Sequence, residues 1–317
     1  MCRKKSKVPP TAFILIVILV TIGLLNGGCV TLAPTGTPPP GHVTPAPTIV
    51  PAPPAGTANG TVQVHFIDVG QGDSVLVRNA DRWMLVDAGP IDAGPALASY
   101  LRSQGIKAID VVVSTHPHAD HIGGLLTVLN EFPVRTVYDI GIPHTTQTYE
   151  AYLTLIDQKD IRFVVPERGD TIDLGPGVTV QVLSPPSGGI PGAGLNENSM
   201  VLKITHGGVS FLLMSDAGSE AERVMLDSGY DLRSQVLKVG HHGSKSSSGK
   251  AFLEAVDPQV SVIEVGADNA YNHPAPATLD RLAAAGSAVY RTDRDGHVVV
   301  TSDGKGIVVS AQRQAPA

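Results

Sequence analysis

With 317 residues, of which 42% are hydrophobic and only 16% charged, the chain can bury a large core, which excludes a highly charged disordered protein. Its formal charge is −6, so it lacks the generic basic surface of nucleic-acid-binding proteins, and any nucleic acid must be held locally. The two cysteines, Cys2 and Cys29, lie near the N-terminus, so any metal further along must be bound by His, Asp or Asn.

The first 29 residues have the pattern of an export signal. Four basic residues (Arg3, Lys4, Lys5 and Lys7) precede an apolar stretch at 11–25, which is shorter than the roughly 20 residues of a typical spanning helix. Small residues then lead to Cys29, which resembles a bacterial lipoprotein signal. This resemblance implies a lipidated Cys29, a membrane anchor and an extracytoplasmic location. Asn26 stands where that family prefers an aliphatic residue, so an uncleaved helical anchor and simple secretion stay open.

Residues 30–60 are rich in Pro, Thr and Ala and contain no Asp, Glu, Lys or Arg. Because such a composition cannot bury a core, we predict a disordered linker. Regular patterns begin at Thr61, and no internal repeat is evident. We therefore predict one domain over 61–312, followed by a tail at 313–317.

The domain begins with short strands and then alternates strands with helices. Strand patterns occur at 62–70, 74–79, 82–89, 109–115, 178–184, 199–205, 209–215, 234–240, 259–266, 287–292 and 296–302. Helical patterns occur at 93–105, 122–132, 218–229, 249–256 and 275–286. Gly and Asp turns between the first strands predict an antiparallel start, whereas the apolar run "IDVVV" predicts a strand buried on both faces. This order predicts an α/β fold of two mixed sheets with helices outside.

The stretch "STHPHADHIGG" (114–124) places four metal-ligand side chains directly after that buried strand. His116 and His118 are two residues apart in an extended segment, so both rings are expected to face one side. Asp120 and His121 follow where the chain turns toward a helix and face a second point. One ion rarely needs four ligands from six residues, so the spacing predicts two divalent ions. Imidazole and carboxylate suit zinc, with manganese or iron as alternatives; solvated loop histidines would be the non-functional explanation.

The motif His-x-His-x-Asp-His at a strand end resembles the signature of the metallo-β-lactamase superfamily. Three further stretches, "MLVDAG", "FLLMSDA" and "VLKVGHHGS", match that family's motifs in order. The resemblance implies a four-layer αββα sandwich with the metals at the sheet edges. It also implies that Asp87 supports the ligand loop and that Asp216 bridges the ions. His241 would be the last ligand, with His242 beside it as a supporting or substrate-contacting residue.

A narrower resemblance is to the hydrolase domain of ComEC-type competence proteins and their free-standing relatives. It rests on "VHFIDVGQGDSVLV", "NENSMVLKI", "KVGHHGSKSSS" and "NHPAPATLDRLAAAGSAVYRTDRDG". Asn198 stands at about the point of the superfamily's third-motif histidine, so one ion is expected to have a weaker or water-filled shell. His273-Pro-Ala-Pro replaces the relatives' His-Pro-His-Pro. The intact His-x-His-x-Asp-His motif favours an active centre.

The mechanism implied is metal-assisted hydrolysis, in which Asp120 orients the attacking hydroxide as well as binding metal. His273 is expected to donate a proton to the leaving group, with a capping or packing role as the alternative. Lys245, in a serine-rich loop, would offer a positive charge to a phosphate, unless that loop is simply flexible. "DVGQGDS" is predicted to be structural, with Asp73 hydrogen-bonded to the backbone.

Three functions remain open from the sequence. The first is a membrane-anchored, extracytoplasmic phosphodiesterase or nuclease, with DNA among its candidate substrates. The second is a hydrolase of the same fold that acts on a lactone, lactam or thioester. The third is a non-catalytic lipoprotein that assists DNA uptake. The lysine–serine loop favours the first and the intact ligand set argues against the third, while no protein partner is evident.

Overall fold

The structure, a computed structural model, describes residues 50–51 and 60–313. The predicted export signal with Cys29, most of the predicted linker and the last four residues lie outside the described residues. Across the part of the chain that the structure describes, no helix has both the length and the apolar character needed to cross a membrane.

The strands and helices alternate along the chain. The strands are β1 Val50–Pro51, β2 Val62–Phe66, β3 Val75–Asn79, β4 Arg82–Val86, β5 Ile109–Ser114, β6 Val134–Asp139, β7 Arg162–Val164, β8 Thr171–Ile172, β9 Val178–Ser184, β10 Val201–His206, β11 Val209–Leu213, β12 Val236–Lys238, β13 Val260–Ile263, β14 Ala288–Arg291, β15 Val298–Ser302 and β16 Gly306–Ala311. The helices are α1 Gly94–Ser103, α2 Ala119–Ile122, α3 Leu125–Glu131, α4 Gln147–Gln158, α5 Ser219–Leu226, α6 Lys250–Val256, α7 Pro276–Ala284 and α8 Thr292–Asp295.

Two mixed sheets form the centre of the domain. The first sheet has the strand order β1-β16-β15-β2-β3-β4-β5-β6-β7, antiparallel as far as β4 and parallel from β4 to β7. The second has the order β14-β13-β12-β11-β10-β9-β8, parallel from β14 to β11 and antiparallel from there to β8. The antiparallel opening predicted for β2, β3 and β4 is confirmed by their register.

Side chains of alternate residues divide between two apolar layers on each sheet. In β11, Val209, Phe211 and Leu213 point between the sheets, whereas Leu212 points toward helices on the outer face. Each fully buried side chain of this kind contributes roughly 1.5–3 kcal/mol. A strand that is buried on both faces, such as β11, carries apolar residues on each face. Such strands therefore give the continuous hydrophobic runs in the sequence.

Helices cover the outer face of each sheet. Apolar residues of α1, α3 and α4 pack on the first sheet, and those of α5, α6 and α7 pack on the second. The layers are therefore helix, sheet, sheet and helix, and the predicted αββα sandwich is confirmed.

Candidate metal centre

The predicted ligand residues meet at one edge of the sandwich. The loops after β4 and β5 of the first sheet carry Asp87 and the segment 116–121. The loops after β11 and β12 of the second sheet carry Asp216 and the pair His241 and His242. Neighbouring parallel strands end at the same edge, so short loops bring side chains from distant parts of the chain together.

One group contains Asp120, His121, Asp216 and His242, whose candidate ligand atoms all lie within 4.8 Å of one another. Asp216 Oδ1 lies 3.3 Å from His121 Nε2 and 3.4 Å from His242 Nε2, and Asp120 Oδ2 lies 3.5 Å from His242 Nε2. A tetrahedral zinc site with bonds of about 2.1 Å places its ligand atoms about 3.4 Å apart. The four atoms are therefore spaced as the ligands of one ion.

The hydrogen bonds at Nδ1 of the two histidine rings support the same conclusion. His121 Nδ1 lies 2.8 Å from Asp87 Oδ2, and His242 Nδ1 lies 2.9 Å from the carbonyl oxygen of Glu264. Since both oxygens are acceptors, each Nδ1 donates and each Nε2 of a neutral ring carries a lone pair. Among the described residues, the two Nε2 atoms and Asp216 Oδ1 are buried without a hydrogen-bond partner. Lone pairs that converge in this way fit a cation placed between them.

A second group contains His116, His118 and Asp216. His116 Nε2 lies 3.0 Å from His118 Nδ1 and 3.8 Å from Asp216 Oδ2. On the other side of the His116 ring, Nδ1 lies 3.2 Å from Thr115 Oγ1 and 3.3 Å from Ser199 Oγ, which fix the orientation of the ring. The residues of this group also fit a divalent ion.

Asp216 belongs to both groups and is 2% exposed. Its Oδ1 faces His121 and His242, whereas its Oδ2 lies 3.8 Å from both His116 Nε2 and His241 Nε2. One carboxylate thus offers one oxygen to each group, which is the geometry that a ligand shared by two ions requires.

The charges of the buried carboxylates favour a cation at this point. Burial opposes protonation of His242, but the carboxylates of Asp216 and Asp73 outweigh it and raise the pKa of His242 to about 10. Burial also opposes protonation of His121, yet Asp216, Asp87 and Asp73 together raise its pKa well above the usual range. The same negative field that stabilises these protons attracts a divalent ion.

Asp87 supports the ligand loop from behind. Its Oδ1 accepts a hydrogen bond from the Thr115 N–H at 2.9 Å, and its Oδ2 accepts from Thr115 Oγ1 at 2.6 Å and from His121 Nδ1. The carboxylate therefore fixes both the backbone that precedes His116 and the ring of His121, as carboxylates behind metal-ligating histidines do.

A buried charge network that sequence reasoning missed lies behind His242. The ammonium of Lys238, 1% exposed, contacts Asp73 Oδ2 and donates to the carbonyl of Ser215 at 2.9 Å. Asp73 Oδ1 lies 3.3 Å from His242 Nδ1. Glu264 accepts from the Ser74 N–H at 3.0 Å, and burial together with the Asp73 charge raises the pKa of Glu264 to about 8. The available signal was a charged residue inside an apolar strand pattern, as in "VLKVG" and "VIEVG".

The backbone around the centre is strained. Four residues other than glycine adopt the left-handed conformation next to the ligands, namely Asp87, Ser215, His241 and His242, with φ between 48° and 56°. Such conformations cost about 1–3 kcal/mol each and persist where the surroundings hold them, commonly at functional sites.

The neighbouring residues His241 and His242 face the centre from different sides. The resemblance gave the ligand position to His241, but His242 lies in the four-residue group, buried and held by the Glu264 carbonyl. His241 has a side chain that is 30% exposed and faces Asp216 Oδ2 from the other side. The turn Gly240–Gly243 directs the second of the two rings into the centre.

The side chain of Asn198 bonds within its own loop and belongs to neither group of candidate ligands. Its Oδ1 accepts from the Ile190 N–H at 2.7 Å, and its Nδ2 donates to the carbonyls of Ala193 and Gly194. Both ends of the amide are therefore used within its own loop. Asn196, two residues earlier, lies beside the centre instead, with Nδ2 3.2 Å from His241 Nε2.

Three side chains bind the backbone of the serine-rich loop. Arg281 donates to the carbonyls of Lys245, Ser247 and Ser248, Thr278 donates to that of Ser244, and Glu222 accepts from the N–H groups of Ser248 and Gly249. The Lys245 side chain is exposed and does not line the cavity over the centre. The loop thus holds the His241–His242 turn in place.

A cavity of about 350 Å³ opens over the candidate ligands. Its wall includes Gln71, Asp120, Asn196, Asp216, Tyr271 and His273. The structure therefore brings His273 to the site, with its ring centroid 5.6 Å from that of His241 and its Nδ1 buried without a partner among the described residues. His144, which the sequence analysis left out, lies with its ring centroid 5.9 Å from that of His118.

The loop with the motif "DVGQGDS" closes the wall of this cavity. Gly72, at φ +150°, approaches the backbone of Asp120 so closely that an added Cβ would lie 2.2 Å from the carbonyl oxygen. Gln71 Oε1 accepts from the Gly266 N–H at 3.2 Å. Only glycine allows this close approach of residue 72 to the Asp120 backbone. The next residue, Asp73, belongs to the charge network described above.

The chain is similar to known proteins over most of its length. The family model described as the metallo-beta-lactamase superfamily matches residues 67–266. The chain is 31% identical to ComE operon protein 3 of Bacillus subtilis over 74% of its own length and 32% of that protein. It is 33% identical to competence protein ComA of Neisseria gonorrhoeae over 72% of its length and 30% of that protein. The chain thus spans about a third of the length of these relatives.

Solved structures share the fold at low sequence identity. The metallo-beta-lactamase fold protein YhfI from Bacillus subtilis aligns with a TM-score of 0.51 at 13% identity, over 73% of this chain and 96% of that one. The metallo hydrolase Igni18 from Ignicoccus hospitalis aligns with a TM-score of 0.50 at 19% identity, over 77% and 99% of the two chains. The predicted resemblance is confirmed: the chain belongs to the metallo-beta-lactamase superfamily.

Proposed function

We propose that this protein is a dinuclear metal-dependent hydrolase that cleaves phosphodiesters. The observation that carries the proposal is the position of Asp216, whose two oxygens face two separate sets of imidazoles. Two divalent ions bound there would neutralise the charge of a phosphodiester and lower the pKa of a water molecule. The residues that would hold them are His116, His118 and Asp216 on one side, and Asp120, His121, Asp216 and His242 on the other.

The residues at the cavity supply the remaining steps. The Asp120 side chain is 34% exposed, and burial is outweighed by the neighbouring His242 and His121, which lower the pKa of Asp120 to about 2. Its carboxylate is therefore ionised and can accept a hydrogen bond from the attacking water. His273 also lines the cavity, and its imidazole can pass a proton to the leaving oxygen. The two residues thus act on opposite ends of the reaction.

The lining of the cavity favours a phosphodiester over a lactone, lactam or thioester. Apart from Ala119 and the ring of Tyr271, each wall residue carries a polar or charged side chain. An apolar wall for a carbonyl substrate is therefore missing from the described residues. The likeness to competence proteins gives independent support for a substrate related to DNA.

We further propose that the enzyme acts outside the cytoplasm, tethered through a lipidated Cys29. The support is the basic and apolar pattern of the first 29 residues. Metabolic labelling with a radioactive fatty acid tests this: label should enter the wild-type chain and not a Cys29→Ala variant. Equal labelling of both, or of neither, would contradict the proposal.

The hydrolase proposal is tested with the full chain, purified in mild detergent and loaded with zinc or manganese. We expect turnover of bis(p-nitrophenyl) phosphate that exceeds turnover of a p-nitrophenyl ester and of a lactam, and loss of that turnover in an Asp120→Ala variant that stays folded. Preferred hydrolysis of the carbonyl compounds would assign the second function. Fewer than one bound ion per chain together with no hydrolysis would assign a non-catalytic role.

A further inference from the structure

An exposed aromatic ring stands at the rim of the metal centre. Tyr271 is 66% exposed and lines the same cavity as Asp120 and Asp216. Tyrosine combines a large aromatic face with a polar hydroxyl, so it suits a position where a cavity meets solvent and a ligand can contact the ring.

The loop that carries Tyr271 is well anchored, although the ring is exposed. Asn269 Oδ1 accepts hydrogen bonds from the N–H groups of Tyr271 at 3.2 Å and His273 at 3.0 Å. Asn269 Nδ2 donates to the carbonyls of Gly266 at 3.0 Å and His273 at 2.7 Å. The backbone on which the ring stands is therefore fixed from both sides by one amide.

The ring itself is supported by the candidate proton donor. The rings of Tyr271 and His273 are stacked, with centroids 5.7 Å apart and 27° between their planes. A stacked pair limits the rotamers of the tyrosine, so its ring is oriented before a ligand binds. The ring that contacts Tyr271 is also the ring placed to protonate the leaving group, so a group stacked on Tyr271 lies next to the scissile bond.

The rest of the wall is polar and suits a phosphate, which leaves the ring of Tyr271 to contact a different part of the substrate. Its residues include His118 and Asn196, whose side chains carry N–H groups. Such donors suit a phosphate oxygen, whereas the aromatic ring suits a planar apolar group joined to that phosphate. The substrate whose chemistry combines the two is a nucleotide, since a base has a π-face and its phosphodiester is charged.

We propose that Tyr271 is a stacking surface for a base of the substrate next to the scissile phosphate, an inference that rests on the proposed phosphodiesterase function. Stacking of one base on an aromatic side chain is worth about 1–3 kcal/mol, which corresponds to about a 5- to 150-fold change in affinity. The contact tolerates any base, so the proposal gives selectivity for nucleotides over other phosphodiesters and no sequence preference.

Binding of two matched oligonucleotides tests the proposal without relying on turnover. One is a labelled single strand with hydrolysis-resistant phosphorothioate linkages, and the other carries tetrahydrofuran in place of each base. Dissociation constants are measured by fluorescence anisotropy on the full metal-loaded chain in detergent. The wild-type protein should bind the base-bearing strand about 5- to 150-fold more tightly than the abasic strand.

Three variants locate the effect. Tyr271→Ala should weaken binding of the base-bearing strand alone and so remove the preference, whereas Tyr271→Phe should keep it. Phe163→Ala is the matched control, because Phe163 is another exposed aromatic (38%) that does not line the cavity, and it should bind both strands as the wild type does.

Equal binding of the two strands by the wild type would overturn the stacking proposal, as would an equal loss for both strands in Tyr271→Ala. These results are distinct from failure of the proposed function. A protein that prefers the base-bearing strand but hydrolyses no phosphodiester would refute the hydrolase and retain the base contact. A protein that hydrolyses phosphodiesters without that preference would refute the base contact and retain the hydrolase.

Discussion

Replacing Asp87 with asparagine should weaken one metal site and leave the other nearly unchanged. The carboxylate of Asp87 accepts three hydrogen bonds, two from Thr115 and one from His121 Nδ1 at 2.8 Å. Asparagine can keep the bond from the Thr115 N–H, but its NH₂ group then faces His121. Two donors cannot pair, so His121 is driven to the tautomer that protonates Nε2, the atom directed at Asp216.

The expected loss follows from that one contact. A hydrogen bond to a charged group contributes about 1.5–3 kcal/mol, and removal of a carboxylate behind a ligating histidine lowers metal affinity about 10- to 100-fold. We expect this loss for the group that contains His121 and less than about a threefold change for the group that contains His116 and His118. Competitive zinc titration of the full chain against a chromophoric chelator measures both affinities.

Asp139→Asn is the matched control. Asp139 is also 1% exposed and ends β6, the neighbour of β5, where it accepts from the Gly141 N–H at 2.7 Å and from Tyr152 Oη at 3.2 Å. Removing the Asp139 carboxylate should lower the free energy of unfolding without changing metal affinity, because Asp139 contacts no member of the two groups of candidate ligands. Unchanged affinity in Asp87→Asn, or an equal loss in Asp139→Asn, would refute the reasoning.

Three other perturbations probe the neighbouring residues. Lys238→Met should lower the free energy of unfolding by about 3–5 kcal/mol, because it leaves the Asp73 carboxylate buried without its ammonium, and adding Asp73→Asn should recover most of that loss in urea titrations. His65 has its pKa lowered to about 4 by burial and by the Arg78 charge. As the pH falls, the unfolded state therefore takes up a proton on His65 before the folded state does. Between pH 6.5 and pH 4, the free energy of unfolding should fall by about 3 kcal/mol more in the wild type than in His65→Leu. His273→Gln should reduce turnover of phosphodiesters with an alkyl leaving group about 100-fold or more and leave p-nitrophenyl substrates nearly unaffected, because nitrophenolate departs without a proton.

A specific result would contradict each of these three predictions. A Lys238→Met loss no larger than that of Lys250→Met, an exposed lysine, would show that the buried pair is unimportant. The pH argument fails if the wild type and His65→Leu lose stability in parallel as the pH falls. An equal effect of His273→Gln on both kinds of leaving group would assign that residue a positioning role instead of proton donation.

Much of the fold could be predicted from the sequence because central strands of both sheets, such as β5 and β11, are buried on both faces. Continuous apolar runs such as Ile109–Ser114 then stand out from the loops. Eight elements were not predicted, all of them short or weakly patterned: β1, β6, β7, β8, β16, α2, α4 and α8. Of these, α4 buries only Tyr149, Tyr152 and Ile156 among its 12 residues, so its apolar face is narrow.

The candidate site was predictable where the spacing of residues fixes geometry and less so where loops decide it. His116, His118, Asp120 and His121 occur together in the sequence and lie together in space. The choice between His241 and His242 depends on a left-handed turn that adjacent residues do not reveal. Similarly, the separate roles of Asn196 and Asn198 depend on how one loop folds back on itself.

Crystals of the zinc-loaded protein, measured above and below the zinc absorption edge, test the dinuclear centre most directly. We predict two anomalous peaks on either side of the Asp216 carboxylate, with one contacted by His116 and His118 and the other by Asp120, His121 and His242. A single peak, or a second peak contacted by His241 in place of His242, would contradict the assignment.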